Sequence, residues 1–184
     1  DYWVHFTNFE LSEIYSETWG SDSVERFNDV AITGSLSNRN VTAVGSYQSD
    51  QKLNPVSFNL DQTGMRVWSD TIVVPGMENG NWFSVKNAYG NKLAMVGFTD
   101  ATIAGGGEDI LILRRDDMNN YDGATTAGGL KMDIAKGLVV YDSSFYVAGV
   151  TTSFTNGLED VFLMKYDKSL SYEDSNEVVI FDST

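Results

Sequence analysis

The 184-residue chain contains no cysteine, so disulfides and cysteine-based zinc sites are excluded and nothing about its redox compartment follows from pairing. It has two prolines and a single histidine, His5. With no second histidine and no Gly-x-Ser-x-Gly elbow, a serine–histidine–aspartate triad is ruled out, and His5 is expected to be structural or solvent-facing. Basic residues are scarce: twelve Lys and Arg stand against twenty-six Asp and Glu, a net charge of −14. Such a surface repels phosphate backbones and anionic membranes, which argues against nucleic-acid binding and membrane insertion. Divalent cations or basic partner surfaces suit it better, and solubility alone is the plainer purpose of the same charge. Long apolar runs and helical periodicity are also missing, so neither a transmembrane helix nor an amphipathic one is expected. The chain opens at Asp1 without Met or a leader, as expected of a processed product or a piece of something longer.

What the sequence does contain is a repeat. Ala43-Val44-Gly45-Ser46, Met95-Val96-Gly97-Phe98 and Val147-Ala148-Gly149-Val150 share one pattern, with their glycines 52 residues apart. Sixteen residues before each glycine stand Asp29, Asn81 and Asp133, each leading into a short apolar stretch. Some ten residues after each glycine comes a polar residue, then alternating apolar residues and then Asp. The clearest copies are Asp109 to Asp116 and Asp160 to Asp167, with Asn54 to Asp61 looser and Asp1 to Asn8 in the same frame.

Each period reads as four strands, typified by Asn28 to Thr33 (a), Val41 to Tyr47 (b), Val56 to Leu60 (c) and Met65 to Val74 (d). Turns such as Ser37-Asn38-Arg39-Asn40, Tyr89-Gly90-Asn91 and Gln62-Thr63-Gly64 separate them. Four short antiparallel strands in each repeat describe a propeller blade. The expected fold is therefore an all-β propeller of four-stranded antiparallel blades, about 3.5 blades and fourteen strands. A c–d half-blade occupies about 1–20, and full blades about 21–74, 75–127 and 128–184. Ile110-Leu111-Ile112-Leu113 and Val161-Phe162-Leu163-Met164 are apolar on both faces, as in sheets covered from both sides. The repeated glycine is expected to mark a bend in strand b or the close approach of a neighbouring blade. Lys136-Gly137-Leu138 interrupts strand a of the last repeat, where less regular packing is expected. Trp68 has Tyr15, Gly123 and Asp174 at the corresponding places of the other repeats.

Ala148-Gly149-Val150-Thr151-Thr152-Ser153-Phe154, followed by Glu159 to Asp167, resembles the SBBP-type (seven-bladed β-propeller) repeat. Val96-Gly97-Phe98-Thr99, Gly105 to Leu111, Arg66-Val67-Trp68-Ser69 and Thr18-Trp19-Gly20 are similar to the same signature. The resemblance spans nearly the whole chain. It implies a propeller from secreted or surface-exposed proteins, often large ones that mix propellers with adhesive modules. It is almost silent on activity.

Each candidate for chemistry has a plainer rival. Gly105-Gly106-Gly107 lacks the Lys and the helix of a phosphate cradle, and Glu108-Asp109 would repel phosphate. Asn120, Asp122 and Gly123 match part of a calcium loop, but Met118 and Gly129 stand where its first and closing ligands belong, so a turn is the better reading. Asp29 and Asp133, with Asn81 at the equivalent place, head the strand expected to line the channel. A glycosidase needs two carboxyls in different environments, whereas a carboxylate recurring at one repeat position suits a turn cap. Asn40-Val41-Thr42 is a glycosylation sequon at an expected turn tip, accessible if the protein is secreted from a eukaryote.

By propeller convention the d–a and b–c loops share one face: Gly20 to Arg26, Gln48 to Leu53, Pro75 to Gly80, Asp100 to Gly107 and Thr152 to Glu159. Asp22, Glu25, Asp50, Glu78, Asp100, Glu108 and Glu159 make that face acidic against Arg26 and Lys52. The expected function is a non-catalytic structural or adhesive module of an extracellular or cell-surface assembly, binding protein or glycan partners through these loops. No cofactor is expected, calcium being the one cation weighed. Remaining blades are expected from the same polypeptide or another chain. The alternatives are a glycan-active propeller enzyme and a calcium-dependent carbohydrate-binding module.

Overall fold

The computed structural model describes residues 1–7, 10–20, 22–35, 38–72, 75–101, 107–116, 118–154, 158–171 and 179–181. Runs of β-branched and aromatic residues, cut by Gly, Asn, Asp and Ser, form fourteen strands and no helix among these residues. Strands β1 (Tyr2–Thr7) and β2 (Glu13–Trp19) make a two-stranded antiparallel sheet, sheet 1. Sheet 2 holds β3 (Glu25–Ser35), β4 (Asn38–Ser49), β5 (Lys52–Leu60) and β6 (Arg66–Thr71), hydrogen-bonded in chain order. Sheet 3 holds β7 (Gly80–Ala88), β8 (Lys92–Thr99), β9 (Asp109–Asp116) and β10 (Tyr121–Ala127). Sheet 4 holds β11 (Asp133–Tyr141), β12 (Ser144–Thr151), β13 (Asp160–Tyr166) and the short β14 (Val179–Phe181). Every pairing is antiparallel.

Strand limits depart from the sequence expectation: β3, β4 and β5 run longer than Asn28 to Thr33, Val41 to Tyr47 and Val56 to Leu60, and β4 takes in Asn38, Arg39 and Asn40 of the expected turn. The fourth strand of sheet 2 spans Arg66–Thr71 rather than Met65 to Val74, and residues 73 and 74 lie outside the described residues. The loop expected over Gln48 to Leu53 shrinks to a turn at Asp50 and Gln51, both left-handed at φ 48° and 65°. Two consecutive left-handed residues make the turn that matches strand twist, so β4 and β5 run on to Ser49 and Lys52.

The repeated glycine has a cause within its own sheet. Gly45, Gly97 and Gly149 pair with Phe27, Trp82 and Ala135, and immediately afterwards each first strand carries a β-bulge at Asn28, Phe83 or Lys136. The bulge drives the first strand's backbone against the second strand: a Cβ on Gly45, Gly97 or Gly149 would overlap the carbonyl oxygen of Arg26, Asn81 or Ile134. The glycine thus answers its hairpin partner rather than a bend or a neighbouring blade. Lys136 is no irregularity of the last repeat, because all three four-stranded sheets share the bulge. Asp29, Asn81 and Asp133 are not equivalent, since the hairpins differ in length. Asp29 follows the bulge, whereas Asn81 and Asp133 stand one and two residues before the glycine's partner.

The sheets stack face to face. β7 lies against β3, β4 and β5, and β11 lies against β7, β8 and β9. Side chains alternate across β9, so Leu111 and Leu113 join Trp82, Val85 and Met95 on the side of sheet 2. Ile110 and Ile112 join Phe145, Val147 and Phe162 on the side of sheet 4. Each such Leu or Ile contributes on the order of 1.5–3 kcal/mol by leaving water. Tyr2, Val56 and Phe58, with Phe27 and Trp19 against them, close the seam between sheets 1 and 2.

Polar pins complete the stack. The bulged Asn28 donates to Asn81 Oδ1 (2.9 Å) and to the Trp82 carbonyl (2.6 Å), and the Lys136 ammonium lies 3.6 Å from the Phe83 ring centre. Asp29 Oδ2 accepts from Ser84 Oγ (2.7 Å), the Val85 N–H (3.0 Å) and Lys86 Nζ (2.5 Å), all on β7. Arg115, wholly buried, donates to Asp70 Oδ2 (2.8 Å), Ser57 Oγ (3.1 Å) and Asn119 Oδ1, between the rings of Trp68 and Tyr121 at 5.0 and 5.1 Å. This contact accounts for a tryptophan at position 68: it is half of a guanidinium sandwich between sheets 2 and 3. Register places Tyr15, Trp68 and Gly123 at matching positions, and Asp174 lies outside the described residues.

Candidate functional site

The seven acidic residues expected on one loop face divide into two groups. Asp22, Asp50, Glu78 and Glu159 are exposed. Glu78 makes an ion pair with Lys52 at 3.6 Å, which its exposure renders weak. The other three are internal. Glu25 opens β3 instead of lying in a loop, and its side chain is only 2% exposed. Asp100 accepts the N–H groups of Glu78 (2.8 Å) and Asn79 (2.7 Å) and the Asn79 side-chain amide (2.8 Å), fastening the entry to β7. Burial works to raise the Asp100 carboxyl, but these donors hold it below the ordinary aspartate value. Glu108 is half-buried; burial pushes its carboxyl up, partly offset by the Lys136 ammonium. The same burial lowers Lys136.

Other sequence candidates are occupied by local structure. His5 stands on β1 with Nδ1 3.4 Å from Glu13 Oε2 and its ring 5.4 Å from that of Trp3. Asn40 falls within β4, not at a turn tip; its amide donates to Asn59 Oδ1 (3.1 Å), and Thr42 of the sequon is fully buried. Asp116 Oδ1 accepts the N–H groups of Met118 (3.0 Å) and Asn120 (2.8 Å), and Asp122 pairs with Lys92 (2.7 Å) of β8 and Arg114 of β9, so the calcium-like segment is a turn whose acid is engaged by cations of neighbouring strands. Gly105 and Gly106 lie outside the described residues. Among the described residues no group of three or more His, Asp and Glu is placed to hold a metal.

Asp61 and Asp167 repeat the Asp116 arrangement after the third strands of sheets 2 and 4. Thr63 Oγ1 donates to Asp61 at 2.6 Å and Ser169 Oγ to Asp167 at 2.6 Å. Side-chain donors lead in holding all three carboxyls below the ordinary value: Thr63 for Asp61, Asn120 for Asp116 and Ser169 for Asp167. The Asp that ends each third strand is a turn cap.

Two features escaped sequence reasoning. One is a cleft of about 570 Å³ between sheets 1 and 2, lined by Tyr2, Trp19, Tyr47 and Phe58 with Glu25, Arg66 and Asp70 among its polar groups. Aromatic faces beside carboxylate, guanidinium and hydroxyl groups suit a sugar ring. Its residues come from six strands, so no contiguous motif announces it. The other is the Asp109 carboxylate, which is 0% exposed and has neither oxygen hydrogen-bonded among the described residues. Asp133, on the next sheet, stands beside it, both facing Gly128.

Compared with known proteins, the chain matches no family model and no curated protein.

Proposed function

We propose that each four-stranded sheet is a blade of a β-propeller of the SBBP type and that the chain is a non-catalytic structural or adhesive module of an extracellular or cell-surface assembly. The observation that carries the reading is the role of the first strands. β7 and β11 each lie across three strands of the preceding sheet, and bulged residues join the first strands to one another, Asn28 of β3 to β7 and Lys136 of β11 to β7. Such stacking favours sheets fanned about an axis lined by first strands. The scaffold role agrees with how the charges are used: Asp29, Asp100 and Arg115 each hold neighbouring elements together. Partners are proteins or glycans met by the exposed Asp22, Asp50, Glu78 and Glu159. Further blades come from the same polypeptide or another chain.

The aromatic and acidic cleft between sheets 1 and 2 favours one second reading, a carbohydrate-binding module. A glycan-binding screen with and without calcium, run beside a glycoside turnover assay, tests both. The module reading expects no turnover, and it expects basic partners to bind less well when Asp22, Asp50, Glu78 and Glu159 are changed to Asn or Gln. Glycan binding abolished by Trp19→Ala selects the second reading. Turnover of a glycoside overturns both.

A further inference from the structure

The Asp109 carboxylate is out of place by ordinary electrostatics. Asp109 opens β9 at the seam between sheets 3 and 4, fully buried, and neither of its oxygens has a hydrogen-bond partner among the described residues. Its neighbour across the seam is the Asp133 carboxylate of β11, and the two crowd the same side of Gly128, where a Cβ would strike Asp109 Oδ1 and approach Asp133 Oδ2. The two acids are provided for very unequally. Asp133 Oδ2 accepts the Gly129 N–H (2.8 Å) and the Ser153 hydroxyl (2.6 Å), while its Oδ1 accepts the Thr151 hydroxyl. Asp133 thus has three donors, two at Oδ2 and one at Oδ1, where Asp109 has none among the described residues. A second anion with no donor, in the same dry place, would be a buried unpaired charge beside a like charge.

We propose that Asp109 and Asp133 share one proton across this seam, so that the pair is a proton-operated lock between sheets 3 and 4, closed when the proton is held and loosened when it leaves. The proton resides on Asp109, beside the Asp133 carboxyl; on deprotonation the Asp109 O–H bond breaks and the proton passes to solvent. Burial first, and the Asp133 charge second, push the Asp109 carboxyl up to about 6. Asp160, which opens β13 opposite Thr151, is a further buried acid on the Asp133 side of sheet 4. Glu108 of the preceding turn is drawn to Lys136 of β11 and senses Asp100 beyond β8, and Lys136 also senses Glu159 ahead of β13.

The repeat shows that the pair is not demanded by the fold. At the seam between sheets 2 and 3 the corresponding positions are Asn54 and Gly80, which carry no charge. At the seam between sheets 1 and 2 they are Asp1 and Glu25, both acidic, and there the Asp1 ammonium pairs with the Glu25 carboxylate at 3.0 Å.

The test follows the carboxyl directly. In a carbon-13 titration of the aspartate side chains, Asp109 is expected to titrate near 6, well above the unfolded value. The sign of the stability effect follows: a carboxyl raised on folding imposes no penalty below its unfolded pKa and destabilises the fold as pH rises through its folded pKa. Wild-type melting temperature should therefore fall by several degrees between about pH 5 and about pH 8, while Asp109→Asn, which imitates the protonated side chain, should show a clearly smaller fall, the remainder being that of the raised Glu108 carboxyl. Amide exchange at Thr99 and Thr151, which flank the pair, should quicken over the same range in wild type. Asp109 titrating in the ordinary aspartate range would overturn the proposal, and so would an Asp109→Asn variant with the wild-type slope. Millimolar calcium that restores the wild type at about pH 8 but not Asp109→Asn would also overturn it, by showing a cation in place of the proton.

Discussion

Sheets 3 and 4 are built from the same four-strand pattern and differ in what lies beyond them. Ile110 and Ile112 of β9 are fully buried beneath sheet 4. Val161 and Leu163 occupy the matching positions on β13 and are 47% and 39% exposed. The opposite end repeats the contrast. Val85 of β7 is fully buried, while Val30, its counterpart on β3, is 55% exposed beside a sheet of only two strands. An apolar residue on the second face of such a strand gains its burial from the next sheet, not from its own.

The sharpest way to break this comparison is truncation on both sides of it. Ile112→Ala is expected to destabilise by about 3–4 kcal/mol, because a packed methylene-rich side chain leaves a cavity, and Leu163→Ala by less than about 1 kcal/mol. Denaturant unfolding of the two variants checks it. A Leu163→Ala loss as large as that of Ile112→Ala would mean that a further sheet covers β13 in the protein studied.

The next effect concerns glycines that are alike in sequence and unlike in surroundings. Gly97→Ala should destabilise by about 1–3 kcal/mol, since its Cβ overlaps the Asn81 carbonyl oxygen across the bulge. Gly137→Ala, two residues beyond the partner of Gly149, meets nothing within 4 Å and should change stability by less than about 0.5 kcal/mol. Thermal melts of both variants decide whether the bulge, rather than strand position, demands glycine.

The smallest effect is the acid limb of stability. Burial works to raise Asp29, but Lys86, Val85 and Ser84 hold it low, and Lys92 leads in lowering Asp122. Carboxyls lowered on folding stabilise above their unfolded pKa and lose that stabilisation as pH falls through the folded value, here from about pH 4 downward. Asp29→Asn should flatten this limb and weaken the contact between sheets 2 and 3. Gly137 takes the place of Asp29 in sheet 4, so that sheet has no such clamp to lose. Melting curves between about pH 2 and about pH 5 would show it.

Much of the architecture was legible because it is local. The strands were marked by alternation and by turn residues, and the Asp that closes each third strand announced a cap that uses its own loop's N–H groups. The first strands were less legible. Counting sixteen residues back from each glycine aligned Asp29, Asn81 and Asp133, but a bulge and unequal hairpins moved them to three different places. The acidic face was legible only as composition. Position in sequence did not distinguish exposed Asp50 from Asp100, which fastens a loop, or from Glu25, buried within a strand.

By itself the sequence determined the strands, their antiparallel order and the spacing of the repeat. Those features arise from side-chain alternation, backbone preferences at turns and the need for glycine where two backbones touch. Only the tertiary structure decided which apolar faces are covered, why position 68 is a tryptophan beneath Arg115, and that Asp109 meets Asp133. Each of those depends on residues tens of positions apart brought together by stacked sheets. The energies involved, a cation between rings or two carboxyls in a dry seam, exist only once water has been excluded.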